Sequence, residues 1–549
     1  MKQRKSHTHK GIKRFFDIHP PVFWPATILL ALLIAVTLVV GRPMETVFSV
    51  IQEGISNNFG WFFIISVNFY LVIMLFIAFS KYGSIKLGGK NAVPEFSRTS
   101  WFAMLFSAGM GIGILFWSVA EPIYHFSDSP FAASDTAEAA KEAMRTTFLH
   151  WGLHPWAIYA LVGMSLAFFA FNRDKPLAIR SVFYPLLGDR VYGPWGDTID
   201  VVAVLSTMFG LATSLGLGVQ QVNAGLNHLF GMPENVYIQT LLIGVITAAA
   251  SLSVASGLDQ GVKKLSELNM NLGAVLLAFV LVVGPTLFIL DTYVQNTGSY
   301  LNDFFRISFW TEGYSDGDWQ NSWTIFYWSW WISWSPFVGM FIARISRGRT
   351  LREFVLSVLI VPSLLTFLWL TAFGGSAIFL ELNQVGSVAE AAKENIAISI
   401  FALLENFPVA TAANIAAILL VASFFITSSD SGSLVVDTFT SGGKLASPVT
   451  QRIFWAVTQG AVAAVLLFGG GLNALQTASI TTGLPFSVVL ILMGWSLKKG
   501  LEKEYEAEQM KVRTIERESY NQLIQDLIDR KTGKAAQGGK NPEDGTEKK

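Results

Sequence analysis

Long uninterrupted apolar stretches recur along this chain and limit its fold more than any other feature. Stretches of about twenty apolar residues can each cross a hydrocarbon core roughly 30 Å thick, and they recur from 22 to 497. Of the 549 residues, 52% are hydrophobic and 14% are charged, whereas soluble domains carry about a quarter charged residues. The sequence therefore predicts an all-α polytopic membrane protein.

Charge and cysteine content exclude several classes of function. The formal net charge is zero, so no basic field indicates nucleic acid as a partner. There is no cysteine, which excludes disulfides, thiolate catalysis and cysteine metal sites. The first apolar stretch, 22–40, follows a basic head and has no small-residue cleavage site, so we expect a retained span rather than a removed signal peptide.

Charged and turn residues separate the apolar stretches into twelve predicted transmembrane helices. These lie near 22–41, 58–80, 100–126, 147–171, 199–229, 237–255, 270–291, 323–343, 354–380, 411–438, 452–470 and 483–497. Cytoplasmic loops retain an excess of Lys and Arg. The N-terminal segment and alternate loops hold 22 of the 39, the intervening loops hold five, and the C-terminal tail holds 12. This alternation predicts an even number of spans with both termini in the cytoplasm.

The segments outside these spans differ in character. The predicted external loops 128–145 and 315–318 are acidic or rich in small residues, and 385–408 has the pattern of an amphipathic external helix. Residues 498–534 are charged, with apolar residues at helical spacing, and predict a cytoplasmic helix. The end of the chain, 535–549, is poor in apolar residues and is predicted to be disordered.

Three glycines interrupt the third predicted helix. Gly109, Gly111 and Gly113 stand at a spacing of two, which does not form the every-fourth-residue face used for close helix packing. Each interior glycine weakens a helix by about 1 kcal/mol relative to alanine, so three together favour local unwinding. Discontinuous helices inside a membrane commonly bind substrate and ions. Plain close packing of the glycines is the alternative.

A polar cluster interrupts the tenth predicted helix. Six of the seven residues 427–433 carry a hydroxyl or carboxyl group, which is costly in hydrocarbon unless they line a pathway. Hydroxyl and carbonyl oxygens suit an alkali cation rather than a soft metal. Alternatively, the hydroxyls bond to carbonyls of their own helix, which is more credible for Ser431 and Ser433 than for Thr427 and Ser428.

Aromatic residues cluster in the fourth and eighth predicted helices. Five tryptophans fall within 323–334. Interfacial belts explain those near the span's end, but Trp331 and Trp334 lie farther in and share one helix face, as Trp156 and Tyr159 do in helix four. Cages of aromatic rings bind quaternary ammonium groups, each ring contributing up to about 2 kcal/mol when desolvated. Two such clusters, each beside a proline, favour a cage over ordinary aromatic packing.

These motifs resemble those of the betaine/choline/carnitine transporter (BCCT) family. The resemblance is carried by 328–349, by 109–113, by the pair 121–122 and by 151–159, and it covers about 11–497. It implies a secondary active transporter, not an enzyme, that imports a quaternary ammonium osmolyte such as glycine betaine by sodium symport. It implies no cofactor other than sodium as the coupling ion.

The resemblance also implies an architecture. A LeuT-type core would contain two inverted five-helix repeats, helices three to seven and eight to twelve, preceded by two extra helices and usually assembled as a homotrimer in a bacterial plasma membrane. The chain would divide into a cytoplasmic segment 1–21, two peripheral helices 22–99, a transport core 100–497, and the charged helix and tail 498–549.

Carried over residue by residue, the resemblance implies two sites. The quaternary ammonium group would sit among Trp151, Trp156, Tyr159 and Trp331. Further substrate-binding positions would be Phe116, Trp334 and Phe341 along the path, and Met110, Gly111 and Gly113 in the unwound segment. Sodium ligands would be the backbone carbonyls of Ser107, Met110 and Phe424 and the hydroxyls of Thr427 and Ser428. A second sodium site would lie at Thr213 and Ser214.

Two positions bear on substrate and coupling ion. In proton-coupled choline members an aspartate stands at the position of Gly113, whereas sodium-coupled members that take zwitterions have glycine, as here. Sodium-independent exchangers replace the cation site with other side chains, whereas Thr427 and Ser428 are retained here. Transport of choline or carnitine with proton coupling, or exchange without sodium, is the alternative.

Rival classes of function have weaker support. A membrane-embedded enzyme or metal site would use Glu121, His125, His150 and His154, but His150 and His154, which share one predicted helix, lack partner ligands near them in sequence. A channel would need a polar stripe along several helices, whereas the chain has two local breaks. The charged tail is similar in character to that of osmotically regulated members, which raises the hypothesis of osmosensing.

Overall fold

A hydrocarbon environment offers no hydrogen-bond partner to the backbone, so apolar segments of this length satisfy their peptide groups by forming helices. The computed structural model describes residues 15–109, 111–256, 261–315, 317–444 and 446–531. Those residues form twenty α-helices and one isolated antiparallel bridge between Lys86 and Thr350, and they contain no β-strand. The predicted all-helical class is confirmed.

The helices follow one another closely along the chain. The first ten are α1 Pro20–Val40, α2 Met44–Phe79, α3 Arg98–Gly109, α4 Ile112–Ser127, α5 Ala137–Trp151, α6 Leu153–Phe171, α7 Ile179–Val182, α8 Tyr184–Leu187, α9 Pro194–Phe230 and α10 Val236–Ser256. The second ten are α11 Gly261–Val283, α12 Thr286–Asn302, α13 Phe304–Ser308, α14 Phe326–Ile345, α15 Leu351–Leu370, α16 Ser376–Leu382, α17 Val388–Glu394, α18 Ser399–Leu404, α19 Ala410–Thr440 and α20 Val449–Lys531.

Many of these helices can cross a membrane. Among the described residues, nine are long and apolar enough, or ten when the bent pair α3 and α4 is taken as one broken span. The chain is therefore a multi-pass membrane protein. Helix α14 is not among the nine, because its tryptophans, tyrosine and serines make it less apolar, yet most of its side chains are buried.

The predicted interruption of the third span is confirmed. Helix α3 ends at Gly109, α4 begins at Ile112, and the two helical segments are bent by 67°. Between them, Gly111 has extended backbone angles, with φ −155° and ψ −160°. Met110 lies outside the described residues.

Several predicted boundaries are wrong. Helix α5 occupies the second half of the predicted external loop 128–145. The predicted span 270–291 is interrupted because Pro285 lacks the N–H that a continuing helix requires, so α11 ends before it and α12 begins after it. The predicted loop between 470 and 483 is helical, with non-helical angles only at Gly470 and Gly471.

Glycines bring together the two helices that carry most of the aromatic residues. Helices α6 and α14 pack so closely that a Cβ added to Gly339 would lie 3.0 Å from the backbone nitrogen of Gly163. Such close approach of small residues is typical of membrane helix interfaces. It places the aromatic faces of α6 and α14 against each other.

The chain divides into two compact units, Met1–Leu497 and Lys498–Lys549. In the second unit, the predicted charged helix is confirmed over 498–531, and Lys498 pairs with Glu502 one turn on, at 2.7 Å. The predicted disordered end, 535–549, lies outside the described residues, as does most of the N-terminal segment 1–21. The predicted external helix 385–408 consists of short pieces, α17, a 3₁₀ turn and α18.

Candidate functional site

Four aromatic side chains from three helices form a buried cluster, called here the cage: Trp151, Trp156, Tyr159 and Trp331. Trp151 ends α5, Trp156 and Tyr159 lie on α6, and Trp331 lies on α14. Ring centroids are 4.9 Å apart for Trp151 and Trp331, 5.6 Å for Trp156 and Tyr159, and 6.3 Å for Tyr159 and Trp331. None of the four is more than 4% exposed. Electron-rich ring faces at this spacing suit a desolvated cation.

Two glycines beside the helix break, Gly109 and Gly113, pack directly against indole rings. A Cβ added to Gly109 would lie 2.1 Å from Cη2 of Trp156, and one added to Gly113 would lie 2.5 Å from Cη2 of Trp330. Real Cβ atoms do not approach that closely, so each site accepts only glycine without rearrangement. Both predictions for this segment therefore apply: the helix is broken, and its glycines allow close packing of neighbouring rings.

A cavity of about 670 Å³ lies beside the cage. It opens among α3, α11, α14 and α19, and six of the predicted site residues line it: Ser107, Trp334, Phe341, Phe424, Thr427 and Ser428. Trp334 links the cavity to the cage, because its ring centroid is 6.3 Å from that of Tyr159. Its ring edge also lies 3.5 Å from the position of a Cβ on Gly111.

Phe116 is not among the side chains that line this cavity. It is fully buried on α4 and packs edge-to-face against Trp117, with ring centroids 4.9 Å apart. The structure therefore does not bring Phe116 to the cavity that Trp334 and Phe341 line.

The predicted sodium ligands on α19 already make hydrogen bonds. The Thr427 hydroxyl donates to the carbonyls of Ser423 and Phe424, at 3.1 and 3.2 Å, and accepts from the Asn269 side chain at 3.1 Å. Ser433 likewise donates to the Asp430 carbonyl. Hydroxyl bonding within the helix therefore occurs at Thr427 as well as at Ser433, although the sequence favours it more at Ser433. A hydroxyl oxygen has two lone pairs, so that of Thr427 retains one for a cation.

The residues of the predicted second sodium site have other partners. Thr213 on α9 donates toward the carbonyls of Phe209 and Leu475, at 2.9 and 2.8 Å, and lies 2.9 Å from the Ser479 hydroxyl. Ser214 donates to the Gly210 carbonyl at 3.2 Å. Thr213 joins α9 to α20, and neither residue lines the cavity that contains Thr427.

A fully buried carboxylate lies behind the cage. Oε2 of Glu121 accepts from Trp151 Nε1 at 2.7 Å and from the Tyr327 hydroxyl. Its Oε1 lies 2.7 Å from Nδ1 of His150 and 3.3 Å from Nε2 of His125. The side-chain atoms of Glu121 and the two histidines that could hold a metal all lie within 4.8 Å of one another. The partner of His150 is thus a carboxylate 29 positions away in the sequence, on another helix, rather than a near neighbour in the sequence.

His150 also holds a second ring of the cage. Its carbonyl accepts from Trp331 Nε1 at 2.8 Å, and its Nε2 lies 2.9 Å from the Thr324 hydroxyl. Nε2 of His154, the other histidine of this region, lies 3.3 Å from Oδ1 of Asn68.

Charged side chains hold the N-terminal half of α5 in place. Arg145 is 4% exposed and pairs with Glu142 and with Asp303, which lies between α12 and α13. Burial raises the pKa of Asp303, but the positive charges of Arg145 and Arg306 lower that pKa by a larger amount. The net result is a pKa below the ordinary value of an aspartate. Asp303 is therefore ionised near neutral pH and anchors the helix that ends in Trp151.

Sequence reasoning missed the contacts of Asn269 and Tyr327, and it considered Glu121 only in a family motif and as a candidate metal or acid–base group. A glutamate inside a membrane span is by itself a signal of function, but its bonds to Trp151 and Tyr327 cannot be read from the sequence. Asn269 and Tyr327 carry no comparable local signal, because their partners lie on distant helices.

A multi-pass helical protein with a broken span, a buried aromatic cage and a cavity lined partly by hydroxyl-bearing side chains has the features of a membrane transporter. The sequence pattern of the betaine/carnitine/choline family transporters matches residues 21–506. A glycine betaine transporter of Acinetobacter baylyi is 44% identical over 493 residues, covering 90% of this chain and 74% of that protein. A glycine betaine/proline/choline/ectoine transporter of Vibrio parahaemolyticus is 47% identical over 504 residues, covering 90% and 89%. A glycine betaine transporter of Bacillus subtilis is 45% identical over 486 residues, covering 88% and 94%.

This chain belongs to the betaine/carnitine/choline transporter family. It is a transporter, not an enzyme.

Proposed function

We propose that the protein imports a quaternary ammonium osmolyte, glycine betaine or a similar zwitterion, by sodium symport. The observation that carries the proposal is the buried cage of Trp151, Trp156, Tyr159 and Trp331. A trimethylammonium group has no N–H to donate, so ring faces rather than hydrogen-bond acceptors recognise it. The names of the relatives from Acinetobacter, Vibrio and Bacillus support the same substrate class.

Two features favour a zwitterion over choline. The site of a Cβ at Gly113 is occupied by Trp330, which leaves little room for an acidic side chain there. Among the described residues, the Tyr159 hydroxyl and the Trp334 indole N–H are buried without a hydrogen-bond partner. Both groups can donate, so a substrate carboxylate beside the cage would satisfy them.

Sodium coupling is supported by the oxygens around the cavity. Ser107, Phe424, Thr427 and Ser428 lie on α3 and α19 and line the same cavity. Hydroxyl and carbonyl oxygens are ligands that suit an alkali cation. Met110 would contribute a further carbonyl from the break itself, and Thr213 and Ser214 stay a candidate second site.

The proposed architecture is the twelve-span, LeuT-type arrangement with both termini in the cytoplasm. Helix α14 and the kink of α20 at Gly470 and Gly471 support it, because together with the broken α3–α4 span they supply three spans beyond the nine. We propose peripheral helices over 22–99, a core over 100–497, and a homotrimer in a bacterial plasma membrane. Cross-linking in membranes tests the trimer.

Uptake into proteoliposomes tests the proposed substrate and coupling ion. Purified protein would be supplied with labelled glycine betaine or choline, with a sodium gradient or a proton gradient imposed alone. We expect betaine to accumulate only with sodium, because the hydroxyl and carbonyl oxygens of Thr427, Ser428 and Phe424 suit that ion and glycine at position 113 has no carboxylate to carry a proton. Protein-free liposomes are the control. Choline accumulation driven by protons would be compatible with the aromatic cage. It would refute the interpretation of Gly113 as a mark of zwitterion transport and that of Thr427 and Ser428 as sodium ligands.

Osmotic regulation is proposed for the second unit. The helix over 498–531 is charged and exposes apolar side chains such as Ile515, Leu523 and Leu527, as expected of a segment that responds to ions or to a membrane surface. Deleting 498–549 is expected to remove activation by hyperosmotic shock while betaine affinity is retained. Unchanged activation in the deletion variant would refute the hypothesis; the full-length chain at constant osmolality is the control.

A further inference from the structure

The carboxylate of Glu121 is buried on α4 and does not line the cavity. It touches the cage only through the indole N–H of Trp151, at 2.7 Å. A buried charge inside a membrane span is costly, and such residues are rare unless they serve a pathway or a partner. If Glu121 affects substrate binding, it must therefore act through another side chain.

The hydrogen-bond donors around Glu121 match an ionised carboxylate. Trp151 Nε1 can only donate, and the Tyr327 hydroxyl joins it at Oε2. At Oε1, an ionised carboxylate pairs with the His150 tautomer that donates from Nδ1, and the Nε2 of that tautomer can accept from the Thr324 hydroxyl. An ionised carboxylate offers about four lone-pair sites and no proton, and four groups face this one: Trp151 and Tyr327 at Oε2, and His150 and, at 3.3 Å, His125 at Oε1.

An anionic acceptor changes the ring that donates to it. A hydrogen bond to a charged group is about twice as strong as one between neutral groups, and bonded groups in a low-dielectric interior polarise one another. The indole of Trp151 loses positive character at its N–H and gains negative potential on its ring faces. A cation above the ring is attracted by that potential.

We propose that Glu121 is a specificity-determining positioning residue that strengthens the attraction of the Trp151 ring for a quaternary ammonium group. The carboxylate orients the ring and transmits its negative charge through the indole N–H. His150 belongs to the same assembly, because its imidazole bonds Glu121 while its carbonyl accepts from Trp331. This inference rests on the proposed substrate class, and it explains how the cage can favour a cation without an acidic side chain inside it.

The test compares two ligands of the same shape. Glycine betaine and tert-butylacetate differ only in that carbon replaces the ammonium nitrogen, so the second has no positive charge. In equilibrium binding to the purified protein, Glu121→Gln is expected to weaken betaine by about 10-fold. Binding of tert-butylacetate should be unchanged, because glutamine keeps an oxygen acceptor and nearly the same volume. In uptake, the KM for betaine should rise with little change in the maximal rate.

Asp437→Asn is the matched control. It makes the same carboxylate-to-amide change at a buried side chain inside a helix, α19, but the hydrogen-bond partner of Asp437 is Ser447 rather than a residue of the cage or of the Glu121 cluster. Betaine binding should be retained in this variant.

A second variant keeps the test decisive if Glu121→Gln does not fold. Trp151→Phe retains a ring but has no N–H, so it should lose the same preference for betaine over tert-butylacetate, and Glu121→Gln should add nothing further in that background. Equal weakening of both ligands, or no weakening of either, would overturn the inference while leaving the cage intact. Failure of the unmodified protein to bind betaine would instead refute the proposed function itself.

Discussion

Replacing Trp331 with leucine is expected to raise the KM for betaine uptake by about 30-fold, so that uptake at low substrate concentration falls to background. A desolvated tryptophan contributes up to about 2 kcal/mol to a cation above its face, and about 1.4 kcal/mol corresponds to a factor of ten. Trp331 is the ring that joins both sides of the cage, with centroids 4.9 Å from Trp151 and 6.3 Å from Tyr159. Labelled betaine uptake, normalised to the protein reconstituted, measures the effect.

Loss of a buried tryptophan also destabilises a helix bundle, so the control must match Trp331 in that respect. Trp328 lies on the same helix and is 1% exposed, but its ring packs on His150 and His154 and not on the cage. Trp328→Leu removes the same number of atoms and is expected to reduce the amount of folded protein while leaving betaine affinity in place. Near-normal affinity in Trp331→Leu would show that the cage does not bind the ammonium group.

Local patterns in the sequence predicted the parts of the cage that lie on one helix. Trp156 and Tyr159 share a face because residues three apart are neighbours on a helix, and the break at Gly109 and Gly111 follows from glycine's low helix propensity. Both features depend on residues close together in the chain, so no tertiary structure was needed to recognise them.

Contacts between distant segments could not be predicted in this way. Glu121 and Tyr327 are 206 positions apart, and no periodicity relates one to the other. The same holds for Asn269 and Thr427, which are 158 positions apart. Their proximity depends on how α4, α11, α14 and α19 pack, which the pattern of each helix alone does not specify.

The misplaced boundaries have a different origin. The part of α5 up to Arg145 falls within a predicted external loop because it is polar, yet Arg145 and Glu142 are buried there as partners of each other and of Asp303. Hydropathy treats each charged residue as exposed. Where charges are paired inside the protein, that assumption fails.

Thr427→Val is expected to raise the sodium concentration for half-maximal uptake by roughly 10- to 100-fold, since a hydrogen-bonding or ligating group for a charged partner contributes about 1.5–3 kcal/mol. Valine matches the shape of threonine but has no oxygen to offer. The variant also leaves the Asn269 amide, 3.1 Å away, without its acceptor. Uptake of betaine measured across a series of sodium concentrations gives the shift.

The matched control for this prediction is Ser431→Ala. Ser431 follows Thr427 by one turn on α19 and lines the same cavity, but it is not one of the proposed ligands. Its loss should leave the sodium dependence in place. If Thr427→Val and Ser431→Ala respond to sodium alike, the Thr427 oxygen is not a ligand, and the cavity serves substrate passage rather than ion coupling.

A shift confined to Thr427→Val would instead assign the ion to the place where α3 breaks beside α19. The other side-chain and backbone oxygens proposed as ligands, from Ser428 and Ser107, line the same cavity as Thr427.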